Sequence, residues 1–229
     1  MTTLRNPETT TNYAAPAPRF HHAPQKIADD TYVIRQLVGE GEAPQLVYMN
    51  SMVITAKEPV VVDTGTVANR RQWFADVQSI VDAEDVRWIF ISHDDHDHTG
   101  NLVEALDVFP NATLVMNWFQ VERLVGDYAL PLNRMRWLDD DQSFEAGDRT
   151  LHLIRPPVFD SPTTRGLYDP KTGVYWASDC FASPVPAPIE NVKELHPEEW
   201  RQGMQLFGMA VSPWIAMADE KKFAAQVDR

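Results

Sequence analysis

A single cysteine, Cys180, stands in the chain, so no intrachain disulfide can form and an oxidising compartment is not indicated. Basic residues are also scarce: 20 Lys and Arg face 33 Asp and Glu, a formal charge of −13 that opposes binding to nucleic acid or an anionic membrane surface. No apolar run approaches the length of a membrane span, and the opening Met1-Thr2-Thr3-Leu4-Arg5 carries no apolar signal segment. These absences predict a cytoplasmic protein without nucleic-acid or membrane partners. At 229 residues one sizeable core is expected. Residues 1–30, rich in Thr, Ala and Pro, read as a loosely ordered lead-in to a domain over 31–229. His21 and His22 fall in that lead-in, where solvation is expected rather than ligation, because ordering the chain around a metal would cost entropy.

Ligand chemistry, by contrast, is concentrated. The six positions His93 to His98 hold three histidines and three aspartates. They follow the apolar run 86–91 and precede Gly100 and the helical pattern Leu102, Ala105, Leu106, Phe109, which places them at the carboxyl end of a strand, where α/β proteins build their sites. Aspartates crowded in a partly desolvated loop repel one another and raise their own pKa values, a penalty that a divalent cation removes. A solvated acidic turn would have no use for three histidines, and imidazole is the commonest metal ligand.

The order of elements supports an α/β reading. Strands are predicted over 31–37, 46–48, 51–55 and 60–62 as an antiparallel meander, with a turn at Lys57-Glu58-Pro59. From residue 67 the period changes, and Trp73, Val77, Ile80 and Val81 mark one helix face before the strand 86–91. Helix 101–109, strand 113–116 and helix 118–125 follow, then strands over 136–138, 150–154 and 174–177, and helical patterns from residue 197 interrupted by Pro213. Meander, βα units, second meander and helices suggest two sheets packed face to face with helices outside.

Read as H-x-D-x-D-H, the run supplies His93, Asp95, Asp97 and His98. It resembles the H-x-H-x-D-H signature of the metallo-β-lactamase superfamily, in which the first pair binds one metal and the second pair its neighbour. Asp95 stands where hydrolases of that superfamily usually carry His; a carboxylate there, as Glu, is typical of flavodiiron and oxygen-binding di-iron proteins, whose metal domain this chain resembles most. The implied fold is an αββα sandwich of two packed mixed sheets with outer helices. In Val60-Val61-Val62-Asp63-Thr64-Gly65 the resemblance makes Asp63 a support of the metal loop that does not itself ligate; equally, an Asp beside a Gly turn can bond nearby backbone N–H groups. Asn50-Ser51 is similar to the Asn-Ser strand of flavodiiron metal domains, although any edge strand could open that way.

Further along, Phe159-Asp160-Ser161-Pro162, then Tyr168, then Trp176-Ala177-Ser178-Asp179 is similar to the segment that carries the superfamily's third ligand and its bridging aspartate. Asp160 falls at a position usually held by His, and Asp179 at the bridging position. Asp-Ser-Pro is also an ordinary turn opening, while an unpaired carboxylate ending a buried strand, as Asp179 does, would be costly. The x positions Asp94 and His96 are expected to point away from the metals, His152 to be a cross-strand histidine, His196 to start a helix, and Cys180 to be a small buried residue rather than a reactive thiol. Relatives continue into another strand with a last His ligand, so this chain is expected to lack that strand, to be truncated there, and to hold its second metal weakly.

The resemblance implies two divalent metals held by His93, Asp95, Asp97, His98, Asp160 and Asp179. Two imidazoles and four carboxylates favour iron or manganese, with zinc also possible. The implied function is binding or reducing a small diatomic molecule, with electrons from a separate donor because no flavin is expected in this chain. A metal-dependent hydrolase acting on a small-molecule substrate through a metal-bound hydroxide is the rival, and a scaffold that has lost its metal is a third class. Oligomeric state is not legible.

Overall fold

The computed structural model describes residues 20–229. A seven-stranded sheet contains, in spatial order, β1 (His22–Ala28), β2 (Thr31–Arg35), then, beyond the two-stranded ribbon of β3 (Leu37–Val38) and β4 (Val47–Tyr48), β5 (Ser51–Ile54), β6 (Val60–Val62), β7 (Trp88–Phe90), β8 (Thr113–Met116) and β9 (Met135–Trp137). Its first four strands pair antiparallel and β6 to β9 pair parallel. The parallel crossovers pass through α1 (Arg70–Gln78), through α2 (His96–Thr99) with α3 (Leu102–Val108), and through α4 (Trp118–Leu124). A second sheet of β10 (Ser143–Glu145), β11 (Thr150–Ile154), β12 (Gly166–Asp169) and β13 (Val174–Trp176) is antiparallel throughout. Thus the expected pair of mixed sheets consists of one mixed and one antiparallel sheet. Helices α5 (Pro197–Val211) and α6 (Glu220–Val227) flank a 3-10 turn at Pro213–Met217.

The large sheet is buried on both faces, which is why its parallel strands read as continuous apolar runs. Side chains alternate: Val61, Ile89 and Leu114 face one layer with Trp73, Val77, Leu102 and Phe109 of the helices. Val60, Val62, Phe90 and Val115 face Phe144, Leu151, Leu153 and Leu167 of the second sheet. This two-layer core holds the carboxyl ends of β6, β7 and β13 in register, and those ends carry the functional side chains.

Three local expectations change. β1 lies inside the segment expected to be a loose lead-in, and His21 and His22 are ordered by Asp76 (2.9 Å) and Glu40 (2.7 Å); residues 1–19 of the lead-in lie outside the described residues. Pro24 and the polar composition hid a strand that tolerates them because it is an edge with register shifts. The predicted strand 46–48 pairs with β3 rather than joining the meander. β10 and β12 were not anticipated; Gly166-Leu167-Tyr168-Asp169 has no β-branched residue to announce it.

The two sheets are tied by a buried guanidinium. Arg149, with a side chain 2% exposed, pairs with Asp30 in the β1–β2 turn and with buried Asp169 at 2.8 Å. Replacing Arg149 with Met should cost about 3–5 kcal/mol in urea unfolding at neutral pH, because buried Asp169 keeps the Lys171 N–H and Thr172 hydroxyl but loses its cationic partner. The bond from Arg149 holds the Asp30 carboxyl below its ordinary 3.8. That contribution is present above pH ~4 and fades as pH falls through the lowered folded-state value. The difference between wild type and Arg149→Met should therefore narrow in acid; a gap independent of pH, or none at pH 7, would contradict this account.

Candidate metal centre

The centre begins where β7 runs out. Ser92 and His93 continue its direction, Asp95 precedes α2, and the single turn of α2 returns Asp97 and His98 toward the strand end, with His98 N–H bonded to Asp95 O at 3.0 Å. The fold allows this reversal because Gly100 passes close to a neighbouring loop: a Cβ there would sit 2.6 Å from Gly65 O and 2.7 Å from His96 O. Asp160 arrives from the loop after β11 and Asp179 from the end of β13. That loop is anchored by Trp214, whose Nε1 donates to Phe159 O at 2.8 Å.

All six sequence-selected residues meet in one cleft. His93 Nε2 lies 3.6 Å from Asp95 Oδ2, 3.5 Å from Asp160 Oδ2 and 3.8 Å from Asp179 Oδ2. His98 Nε2 lies 3.2 Å from Asp97 Oδ2 and 3.2 Å from Asp179 Oδ1. The two imidazole rings are 3.9 Å apart. Two overlapping donor groups result, His93–Asp95–Asp160 and His93–His98–Asp179. Both Nε2 atoms are buried and make no well-formed hydrogen bond, a costly state for a polar atom. Donors about 2.0–2.2 Å from a shared cation stand roughly 3–3.5 Å from one another, close to the spacings seen. The donor set therefore fits metal ions.

Electrostatics agree. Burial and the adjacent His98 press the His93 pKa down, but Asp160, Asp95 and Asp179 outweigh them and lift it to about 9. Burial likewise opposes charge on His98, whose pKa is nonetheless raised well above its ordinary value by Asp63, Asp179 and Asp97. Burial of Asp160 is overcome by His93, which brings that carboxyl to about 2. The cleft thus draws positive charge to the two Nε2 atoms, as protons or as cations.

Asp63 lies beneath the cluster, fully buried, with φ +59°. Its Oδ1 accepts from Ser92 N–H at 2.6 Å; its Oδ2 accepts from the Ser92 hydroxyl at 2.7 Å, His98 Nδ1 at 2.8 Å and Trp176 Nε1 at 2.9 Å. Asp94 and exposed His96 stand outside the donor groups. His152 lies in β11 opposite Tyr168, His196 caps α5 by accepting from Glu198 N–H, and burial lifts the half-buried Cys180 thiol to about 11, away from reactivity. Sequence reasoning missed Ser92, Ser161, Thr163, Trp176 and Ser178. Adjacency to the ligand candidates is the only signal the sequence offers for them.

Two openings reach the centre. A cavity of about 420 Å³ is lined by Asp95, Arg123, Asp160, Ser161, Pro162 and Val211. A second, about 220 Å³ and almost wholly apolar, has Asp179 in its wall beside Val158, Phe181, Met204, Phe207 and Ile215.

Residues 47–219 match the model of the ODP family beta lactamase, and the chain belongs to that family. A putative diflavin flavoprotein A 1 from Nostoc sp. is 24% identical over 163 residues, covering 68% of this chain and 28% of that protein. An anaerobic nitric oxide reductase flavorubredoxin from Vibrio vulnificus is 23% identical over 133 residues, covering 58% of this chain and 27% of its own length. The flavodiiron protein of Giardia intestinalis superposes with a TM-score of 0.73 at 18% identity over 84% of this chain and 48% of that one, which establishes the metallo-β-lactamase-like fold. The chain thus spans under a third of the length of these two curated relatives. Among the described residues no helix is long and apolar enough to cross a membrane.

The buried Asp94 side chain holds the Asp160 loop: its Oδ1 accepts from the Ser161 hydroxyl at 2.9 Å and from Thr163, and its Oδ2 takes the Arg123 guanidinium. Asp94→Ala should cost about 1–3 kcal/mol of stability, because of the two buried hydroxyls that lose their acceptor only one can donate to the other. Arg123→Ala, removing a half-exposed partner, should cost less than about 1 kcal/mol. Equal losses from the two variants in chemical denaturation would show that the ion pair, not the hydroxyl bonds, fixes the loop.

Proposed function

We propose that this chain is a dinuclear metal protein that binds or reduces a small diatomic molecule such as oxygen or nitric oxide. The observation that carries the reading is the placement of Asp179 between two orphaned imidazole nitrogens, Oδ2 toward His93 and Oδ1 toward His98. His93, Asp95 and Asp160 would hold one cation and His98 with Asp97 the other, with Asp179 shared. Four carboxylates carry four negative charges, which two divalent cations balance, and this oxygen-rich set suits iron or manganese over zinc. When bound, such a pair supplies redox chemistry at oxygen or nitrogen. The residues around it hold the Asp97 and Asp160 carboxyls below their ordinary pKa and aim both Nε2 atoms into the cleft. The names of the relatives support the same reading, including a nitric oxide reductase. Reduction would draw its electrons from a donor outside this metal domain.

The wide apolar cavity beside Asp179 favours a second reading. About 220 Å³ is far more than the roughly 10–15 Å³ that admits one water-sized molecule. A metal-dependent hydrolase could seat an apolar acyl or aryl group there.

Protein produced with iron, manganese and zinc all present should retain iron or manganese in excess of zinc. Asp160→Ala should lose one metal position, whereas Asp179→Ala should deplete both. Anaerobically reduced protein should consume oxygen or nitric oxide when given an artificial electron donor. Stoichiometric zinc, with turnover of apolar esters or amides and no gas consumption, would select the hydrolase.

A further inference from the structure

Asp63 reaches farther than the imidazole it touches. The Ser92 hydroxyl that donates to Asp63 Oδ2 also lies 2.9 Å from the Ser178 hydroxyl, and Ser178 Oγ lies 3.0 Å from His93 Nδ1. The shortest contacts therefore run His93 Nδ1, Ser178, Ser92, Asp63, His98 Nδ1, with Ser92 Oγ also 3.5 Å from His93 Nδ1 and 3.3 Å from His98 Nδ1. The polarity of this chain follows from the acceptor at its centre. An ionised carboxylate only accepts, so Ser92 must give Asp63 its proton. Ser92 Oγ is then free to accept from the Ser178 hydroxyl, and Ser178 Oγ to accept from His93 Nδ1–H. On the other side Asp63 accepts directly from His98 Nδ1–H. Each neutral ring then carries its proton on Nδ1, so that Nε2, which faces the carboxylate cleft, is the nitrogen left to a cation in place of a proton.

We propose that Ser178 and Ser92 are positioning residues that extend the control of one buried carboxylate to both imidazoles, so that a single group sets the tautomer of a ligand at each of the two metal positions. The inference rests on the dinuclear reading above. Hydrogen-bond partners of metal-bound histidine fix ring orientation and raise ligand basicity, and their loss commonly lowers affinity about 10- to 100-fold. Two features separate the relay from mere packing. Ser178 is the residue immediately before Asp179, and its φ of +54° is a conformation that favours glycine. In that conformation its hydroxyl meets both His93 Nδ1 and Ser92 Oγ.

The backbone strain makes a decisive variant available. Ser178→Gly relieves the left-handed backbone, which offsets part of the cost of taking the acceptor from buried His93 Nδ1, while removing the hydroxyl. Ser178→Ala removes the hydroxyl and keeps the strain. If the relay operates, both variants lose about 10-fold or more in iron(II) affinity, measured by anaerobic titration of the full chain. Ser92→Ala should lose at least as much, and adding Ser178→Ala to it should cost little more, because both serines act through one chain. Cobalt(II) spectra of the Ser178 variants should change in the bands of one metal position and not the other. Wild-type affinity in Ser178→Gly and Ser178→Ala, or fully additive losses in the double variant, would overturn the relay while leaving the metal reading intact. A wild-type chain that takes up no iron(II) or cobalt(II) would overturn both.

Discussion

The cost of gathering carboxylates in a desolvated cleft governs this structure. Asp95, Asp97, Asp160 and Asp179 crowd around two buried imidazoles, and four negative charges at such spacing repel strongly wherever the local dielectric is low. Nothing in the hydrophobic core can offset that. The compensation must lie at the Nε2 atoms, as protons or as metal ions, and the raised pKa of His93 and His98 is the metal-free expression of the same demand. A further carboxylate, the fully buried Asp63, is satisfied differently, by four hydrogen-bond donors of which His98 Nδ1 is one. It can therefore serve as a fixed acceptor whether or not a cation is held by the other four.

The scaffold's part is to keep five strand ends and loops from relaxing away from one another. The core between the sheets clamps the β6 and β7 ends against β13, which brings Asp63 within reach of Trp176 across 113 residues of sequence. Arg149 and Asp94 perform related tasks outside the cleft. One ties the sheets together; the other seats the loop that delivers Asp160. Both do so with charge-assisted bonds, which are short and directional, where apolar packing alone would leave the loop position soft.

Much of this was legible in the chain. The period of Val60-Val61-Val62 and the run before Ser92 announce strands buried on both faces, and the density of His and Asp over 93–98 announces the site, because both are local in sequence. The resemblance brought Asp160 and Asp179 to the same place. What stayed hidden was nonlocal or conformational. β12 forms because Leu167 fills a space between sheets, not because its residues prefer extended backbone. β1 is held by pairing to β2 and by His22 with Glu40, contacts that no composition reading reveals. Gly65 and Gly100 flag close approaches, but the serines that complete the network look like any turn serine.

Asp63 and Ser178 share one property that no sequence pattern shows: each is a non-glycine residue with positive φ at the end of a strand. Such a backbone costs of order 1–3 kcal/mol and persists only where surrounding structure over-determines it. Here it does, since the carboxylate of Asp63 is bonded four times and the hydroxyl of Ser178 twice. Glycine would relieve both positions and forfeit both side chains. The chain keeps Asp and Ser in this conformation at the two points where the sheets present their ends to the same pair of imidazoles, as the proposed relay requires.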